Sequence, residues 1–294
     1  MKSSVQKWLV AVVILLPVLL GIIILLSSGS TGLKGGISFK KVAVVRLEGV
    51  ITDADWYVQV LREHRLDRSI SGVLLRIDSP GGAVAPSQEI YKEVAAYKAA
   101  GKPLVVSMGN IAASGGYYIA SPAQRIFASP GTLTGSIGVI FTLPLYQELT
   151  KKLGVEFRIF KAGAFKDMGS PYRNMEQQES ALLQTLLDDT HEQFITDVSK
   201  GREMDIDSIR PIADGRIFTG KQAYELNMID SLGGFEDALA YLYQKTGVTE
   251  GSKVVEKKQH SESLWDLFSE SARSKFPALG SLSKPAGLYY LFQP

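Results

Sequence analysis

The chain has 294 residues, enough to bury one sizeable core or two small ones, and its 32 basic against 30 acidic side chains leave no electrostatic footprint for nucleic acid. It contains no cysteine, which excludes disulfides, thiol catalysis and thiolate metal sites. The three histidines, His64, His191 and His260, are too few and too scattered for a typical zinc site, so neither metal nor cofactor is expected.

Trp8 to Leu26 is an unbroken apolar run of 19 residues, long enough to cross a bilayer as a helix. It exceeds the roughly 7–15 apolar residues of a cleaved signal peptide, and Ser28-Gly29-Ser30 is a weak exit site, so an uncleaved anchor is expected. Pro17 and Gly21 are tolerable inside such a helix. Lys2 and Lys7 lie beside a short N-terminus, which favours a cytoplasmic N-terminus and a domain outside the cytoplasm, on a single-pass cell-membrane protein. Residues 1–36 then form the anchor and linker, 37–250 the globular domain, and 251–294 a polar linker and tail.

Within the domain, Val42–Leu47 and Gly72–Asp78 read as strands with a helix around Val58–Arg65 between them. A helical pattern from Pro86 to Ala99 precedes a third strand, Leu104–Met108, and Arg125–Ala128 is a fourth. A helix near Leu145–Leu153 and a strand at Val155–Phe160 come next, followed by a long helix over Met175–Lys200. Shorter helices fall near Gly220–Leu226 and Phe235–Thr246. Short buried strands alternating with helices predict an α/β core with much parallel sheet. In the tail, Leu264, Leu267, Phe268 and Ala272 recur at helical spacing, and the chain finishes on the apolar stretch Leu288–Phe292. The tail has four candidate resting places: its own domain, a neighbouring copy, a membrane surface or the substrate groove.

Ser114 sits where the third strand meets the first turn of a helix, among Ala112, Ala113, Gly115 and Gly116. Small neighbours leave room for a substrate backbone, and exposed amides at a helix start stabilise developing negative charge. The corner resembles a nucleophile elbow, although Ala112 replaces the first glycine of Gly-x-Ser-x-Gly. A capping serine in a tight turn is the plainer alternative. His64 lies in a charged stretch and reads as solvated surface; His191, among carboxylates on the long helix, reads as a solvated face with a metal cluster as the alternative; and His260 lies in the tail linker. The candidate base is therefore Lys166, just past the strand expected at 155–160. A free lysine titrates near about 10.4, so service as a base at neutral pH needs burial to favour its neutral form. Asp167 beside it opposes that shift if the two side chains meet. Ser79-Pro80-Gly81-Gly82 after a buried strand offers amides for an oxyanion, or else forms a plain turn.

Ile77–Gly82, Ala112–Tyr118, Thr134–Val139 and Lys166–Pro171 occur in the order and spacing of the signal peptide peptidase A family, and Gly215–Ala223 with Ile229–Gly234 resembles its later signature. The resemblance covers roughly Val42 to Thr246 and contains one copy of the motif set, as in the short, oligomeric form. It implies the Clp protease/crotonase-like fold with repeated β-β-α units, and serine-lysine cleavage of peptides such as remnant signal peptides or unfolded proteins. It further implies Ser114 as nucleophile, Lys166 as general base, Gly81 and Gly115 as oxyanion donors and Ser136 as the residue orienting the lysine. A homo-oligomer with the dyad shared between protomers follows from the same resemblance. The rival readings are an acyl-CoA enzyme of the related crotonase fold and a non-catalytic membrane scaffold.

Overall fold

The computed structural model describes residues 40–257 and 289–291. The apolar run Trp8–Leu26, the tail helix expected at 264–272 and His260 lie outside the described residues. Among the described residues, no helix is long and apolar enough to cross a membrane.

Strand β1 (Lys41–Glu48) leads through helix α1 (Asp55–Leu66) to β2 (Ile70–Ser79), the short β3 (Gly81–Ala83) and α2 (Val84–Ala99). Strand β4 (Leu104–Ala113) runs into α3 (Gly115–Ala120), then β5 (Arg125–Ala128) and β6 (Leu133–Gly135). After α4 (Gln147–Lys152) come the long α5 (Gln177–Arg202) and α6 (Ile206–Ile209), then β7 (Ile217–Thr219) and α7 (Gly220–Glu225). Strand β8 (Ser231–Leu232), α8 (Phe235–Thr246) and β9 (Val255–Glu256) follow, and β10 (Tyr289–Leu291) ends the described chain.

The main sheet has the order β7-β6-β4-β2-β1-β9, with β5 beside β4 and β8 beside β5. Its pairings are parallel except β6 with β7. Gly72–Leu75 of β2 and Leu104–Gly109 of β4 are buried without interruption because both faces of the sheet are covered there. Strand alternation sends Ala43, Val45 and Leu47 into one core with Val60, Ile90 and Phe194. Val42, Val44, Leu74 and Val105 enter a second core against Ala238, Leu239 and Leu242 of α8. The expected mixed α/β architecture with a largely parallel sheet is thus present.

Three expectations are corrected. The third strand does not end at Met108 but continues to Ala113, its first half pairing with β5 and its second with β6. Gly109 breaks the apolar pattern without breaking the strand, because a Cβ there would lie 2.6 Å from the Asp78 carboxyl carbon. Val155–Phe160 is not a strand: residues 153–176 form neither helix nor strand, and Val155, Phe157, Ile159 and Phe160 are exposed. Its alternating apolar residues lack an edge to pair with among the described residues, and an extended segment without one has no ladder. Finally, His64 is 3% exposed rather than solvated. It shares the inward face of α1 with Val60 and Leu61, four and three residues earlier.

Candidate active site

Strand β4 delivers Ser114 straight into α3, and the turn is strained there: Ser114 has φ 52° and ψ −115°. Its N–H donates to Gly135 C=O and its C=O accepts from Tyr118 N–H, both at 2.8 Å, so strand β6 and the helix hold the conformation from either side. The Ser114 hydroxyl makes no capping bond, which removes the plainer reading of a capping serine. Gly115 follows because nothing larger fits: a Cβ would lie 2.7 Å from Ser87 Oγ, which is fixed by its bond to Ala83 C=O.

The second wall is β3. Ile51 N–H donates to Gly81 C=O at 2.9 Å and Ala83 N–H donates to Ile51 C=O at 2.7 Å. Successive residues of a strand point their polar groups to opposite edges, so the N–H and C=O of Gly82 face away from Ile51. That edge is taken by the chain's own C-terminal residues, since β10 pairs antiparallel with β3 and sets Tyr290 opposite Gly82. On its other side, Tyr289 exchanges two backbone bonds with Ile140, at 3.1 and 3.2 Å. At Gly81 (φ +101°) a Cβ would lie 2.0 Å from the Tyr290 carbonyl oxygen and 2.7 Å from Gly115 N. The Tyr290 carbonyl therefore sits in the corner between Gly82 and Gly115, beside Ser114.

The sequence singles out Gly81 as an amide donor, but its N–H donates to Ser79 Oγ at 3.1 Å. Gly82, one residue on, presents the N–H that faces the corner. A diglycine alone does not reveal which of its two amides points where; the Ile51 bridge decides that.

Ser136 is buried and also has a left-handed φ of 52°, with its N–H on Arg216 C=O. It lines a cleft of about 740 Å³ together with His191, Asp188, Asp214 and Leu291. His191 is partly buried, its Nε2 3.2 Å from Ile137 C=O, and so is a wall of this cleft rather than a solvated residue.

Lys166 is exposed, on the irregular segment between α4 and α5. Among the described residues no hydrogen bond joins it to Ser114 or Ser136, and its backbone N–H bonds to Gly163 C=O. Asp167 turns away from it, bonding Lys161 and Arg173 instead, and Arg173 continues to Glu179 in the first turn of α5. These cations hold the Asp167 carboxyl well below the usual range. The chain of ion pairs ties the Lys166 segment to the start of the long helix.

A strained serine at a strand-to-helix corner, next to a sheet edge that already holds an extended peptide, is the arrangement of a serine-type peptidase. Comparison with known proteins agrees. The family model for peptidase family S49 matches residues 96–249. A protein of Enterococcus faecium bearing the name signal peptide peptidase SppA is 35% identical over 286 residues, covering 88% of this chain and 83% of the relative. A Synechocystis protein named as a protease is 42% identical over 201 residues, 68% of this chain and 72% of its own. Protease 4 of Salmonella typhi is 37% identical over 208 residues, 68% of this chain but 34% of that longer relative. The chain belongs to the signal peptide peptidase A family, peptidase family S49.

Proposed function

We propose that the chain is a membrane-anchored endopeptidase in which Ser114 is the nucleophile and Lys166 of a neighbouring copy is the general base. The observation that carries this reading is the tail strand, seated as an extended peptide with one carbonyl at the corner of Gly82, Gly115 and Ser114. A substrate bound by the same strand addition presents its scissile carbonyl there. Ser114 Oγ attacks the carbonyl carbon while neutral Lys166 takes the hydroxyl proton. The amides of Gly82 and Gly115 hold the oxyanion. Collapse expels the amine, which takes the proton from the lysine, and water then hydrolyses the acyl-enzyme.

Two features support a lysine from a second copy. Lys166 is exposed within one chain, and its segment carries a run of exposed apolar side chains, among them Leu145, Leu149, Leu153 and Phe160, the last 94% exposed. Burial of that face against a neighbour strips water from the lysine and favours the uncharged form a base needs. Ser136 lines the cleft beside the tail strand, which supports a role in orienting an amine that enters it. The apolar run Trp8–Leu26 and the name of the Enterococcus faecium relative support membrane-derived peptides, remnant signal peptides first, as substrates. Anchoring raises the effective concentration of such substrates. A fluorophosphonate probe should label wild type but not Ser114→Ala, and Lys166→Arg should abolish peptide cleavage while the protein stays folded, since arginine does not give up its proton. Substantial turnover by purified Lys166→Arg overturns the dyad, and no labelling of native protein favours the scaffold or acyl-CoA readings.

A further inference from the structure

The residue after Lys166 is a carboxylate, and a carboxylate beside an amine stabilises the amine's charged form. Asp167 therefore works against a neutral lysine unless its charge is engaged elsewhere. One Asp167 oxygen accepts from Lys161 Nζ at 2.5 Å and the other from Arg173 Nε at 2.9 Å. The segment is coiled to allow this. Lys166 N–H reaches Gly163 C=O, Met168 N–H reaches Phe165 C=O and Ser170 N–H reaches Asp167 C=O, a run of turns from which consecutive side chains diverge.

Arg173 does more than pair a charge. Its Nη1 and Nη2 fork onto the two oxygens of Glu179, at 2.8 and 2.5 Å, and Nη2 also donates to the Asp167 carbonyl at 3.2 Å. Glu179 is a fixed anchor, 2% exposed, whose carboxylate accepts the Glu176 N–H at the start of α5, where the helix dipole favours negative charge. A planar guanidinium meets both carboxylates at once, and an ammonium has no fork with which to do so. The Arg173 bonds, first of all, hold both carboxyls well below the usual range, Glu179 at about 2, so both are anionic at neutral pH.

Among the described residues, Lys161 and Arg173 are the cations bonded to Asp167, and Glu179 is the charge that α5 adds. On α4, Lys151 pairs with Glu148, and on the segment Arg158 pairs with Glu156. In the proposed assembly, the cleft that receives the lysine adds His191, Asp188 and Asp214 of the neighbouring copy. Lys161, Asp167, Arg173 and Glu179 thus form a charge-balanced set next to Lys166.

Resting on the peptidase reading above, we propose that Arg173 is a positioning residue for the general base: by binding Asp167 and Glu179 together it keeps the Asp167 carboxylate from pairing with Lys166, and so leaves the amine free to shed its proton.

The test measures kcat/KM against pH for the full chain as wild type, Arg173→Gln, Asp167→Asn and the double variant, each confirmed as assembled by mass. The acid limb of that profile reports deprotonation of the base. Arg173→Gln releases Asp167 beside the lysine and should move the limb up by about one pH unit, with the rate recovering at higher pH. Asp167→Asn removes the carboxylate, so its limb should stay or move down. The double variant should bring the limb back to the wild-type position or below it, because the released charge is gone. A uniform loss of rate in Arg173→Gln with an unmoved limb, or a double variant no better than Arg173→Gln, makes the network purely structural and overturns the proposal.

A second measurement needs no turnover. In the Ser114→Ala chain, acetylation of Lys166 by trace acetic anhydride, followed across pH by peptide mass spectrometry, tracks the neutral amine. Its midpoint should rise with Arg173→Gln and return when Asp167→Asn is added; an unmoved midpoint overturns the proposal. If Arg173→Gln does not assemble, Asp167→Asn decides: a limb or midpoint that moves up overturns the proposal, and one that stays or falls sustains it. Turnover by Lys166→Arg defeats the dyad and this proposal with it. An inactive Lys166→Arg alongside an unmoved limb in Arg173→Gln defeats the role of Arg173 alone.

Discussion

Ser114 holds a positive φ without the freedom of glycine, at a cost of about 1–3 kcal/mol that its neighbours offset through bonds to Gly135 and Tyr118. The outcome is a hydroxyl left uncapped and an amide, that of Gly115, aimed beside it. A different kind of strain is electrostatic and lies at His64. Burial, with Lys257 nearby, holds its imidazole below the ordinary histidine range, against the opposing pull of Glu63 and Asp67, and among the described residues Nε2 has no hydrogen-bond partner. The unfolded chain therefore binds a proton near about pH 6.5 that the folded chain refuses. The stability contributed by neutral His64 is complete above that pH and is lost as the pH falls toward the lower folded value. Denaturation midpoints should hold between pH 8 and 7 and drop between pH 6.5 and 5. His64→Leu should flatten that drop, whereas the carboxylates of Glu63 and Asp67 titrate lower still. Identical slopes in the two proteins would remove His64 from the account.

At the scale of elements, β10 is the piece that gives the site its meaning. Strand pairing with Gly82 on one side and Ile140 on the other satisfies the backbone of Tyr289 and Tyr290, and the Tyr290 side chain is buried. A tethered segment in this position competes with substrate. With an effective concentration of about 1 mM and a dissociation constant of similar size, roughly half the sites are closed at any moment. Truncation after Lys284 should then raise kcat/KM on short peptides by at least about twofold. Unchanged activity in the truncated protein would mean that the tail leaves the groove freely. The segment bearing Lys166 is the opposite case, an element held at one end by Asp167, Arg173 and Glu179 while its apolar side chains face outward.

At the scale of the whole molecule, the proposed sharing of the site makes a quantitative prediction. Ser114 and Lys166 are 52 residues apart in sequence, and one chain leaves the lysine in solvent. A head-to-tail interface that brings one copy's lysine to the next copy's serine closes naturally into a ring. Co-assembly of Ser114→Ala with Lys166→Ala in equal amounts should restore about a quarter of wild-type cleavage, because a quarter of the interfaces join an intact serine to an intact lysine under random mixing. No recovery, with mixed assembly confirmed by mass, would confine the dyad to single chains.

The local pattern of residues was sufficient for most of the sheet and helices, because buried parallel strands and amphipathic helices carry periodicities readable over a few residues. It also brought Ser114 forward as a candidate, a serine among alanines and glycines between strand and helix, with a capping role left as the alternative. What it could not reach depends on contacts far apart in the chain. The choice of Gly82 over Gly81 as the facing amide follows from which edge Ile51 occupies. The extension of β4 through Gly109 requires the Asp78 side chain to fill the missing Cβ. The burial of His64 depends on α1 packing its Val60–Leu61 face against the sheet, which a charged local sequence conceals. Val155–Phe160 has the alternation of a strand and does not become one, because a strand is completed by its neighbour and not by its own residues. The last of these contacts joins Tyr290 of the C-terminal tail to Phe194, 96 residues earlier in the sequence, and to Gly82, 208 residues earlier, and only tertiary structure brings the three together.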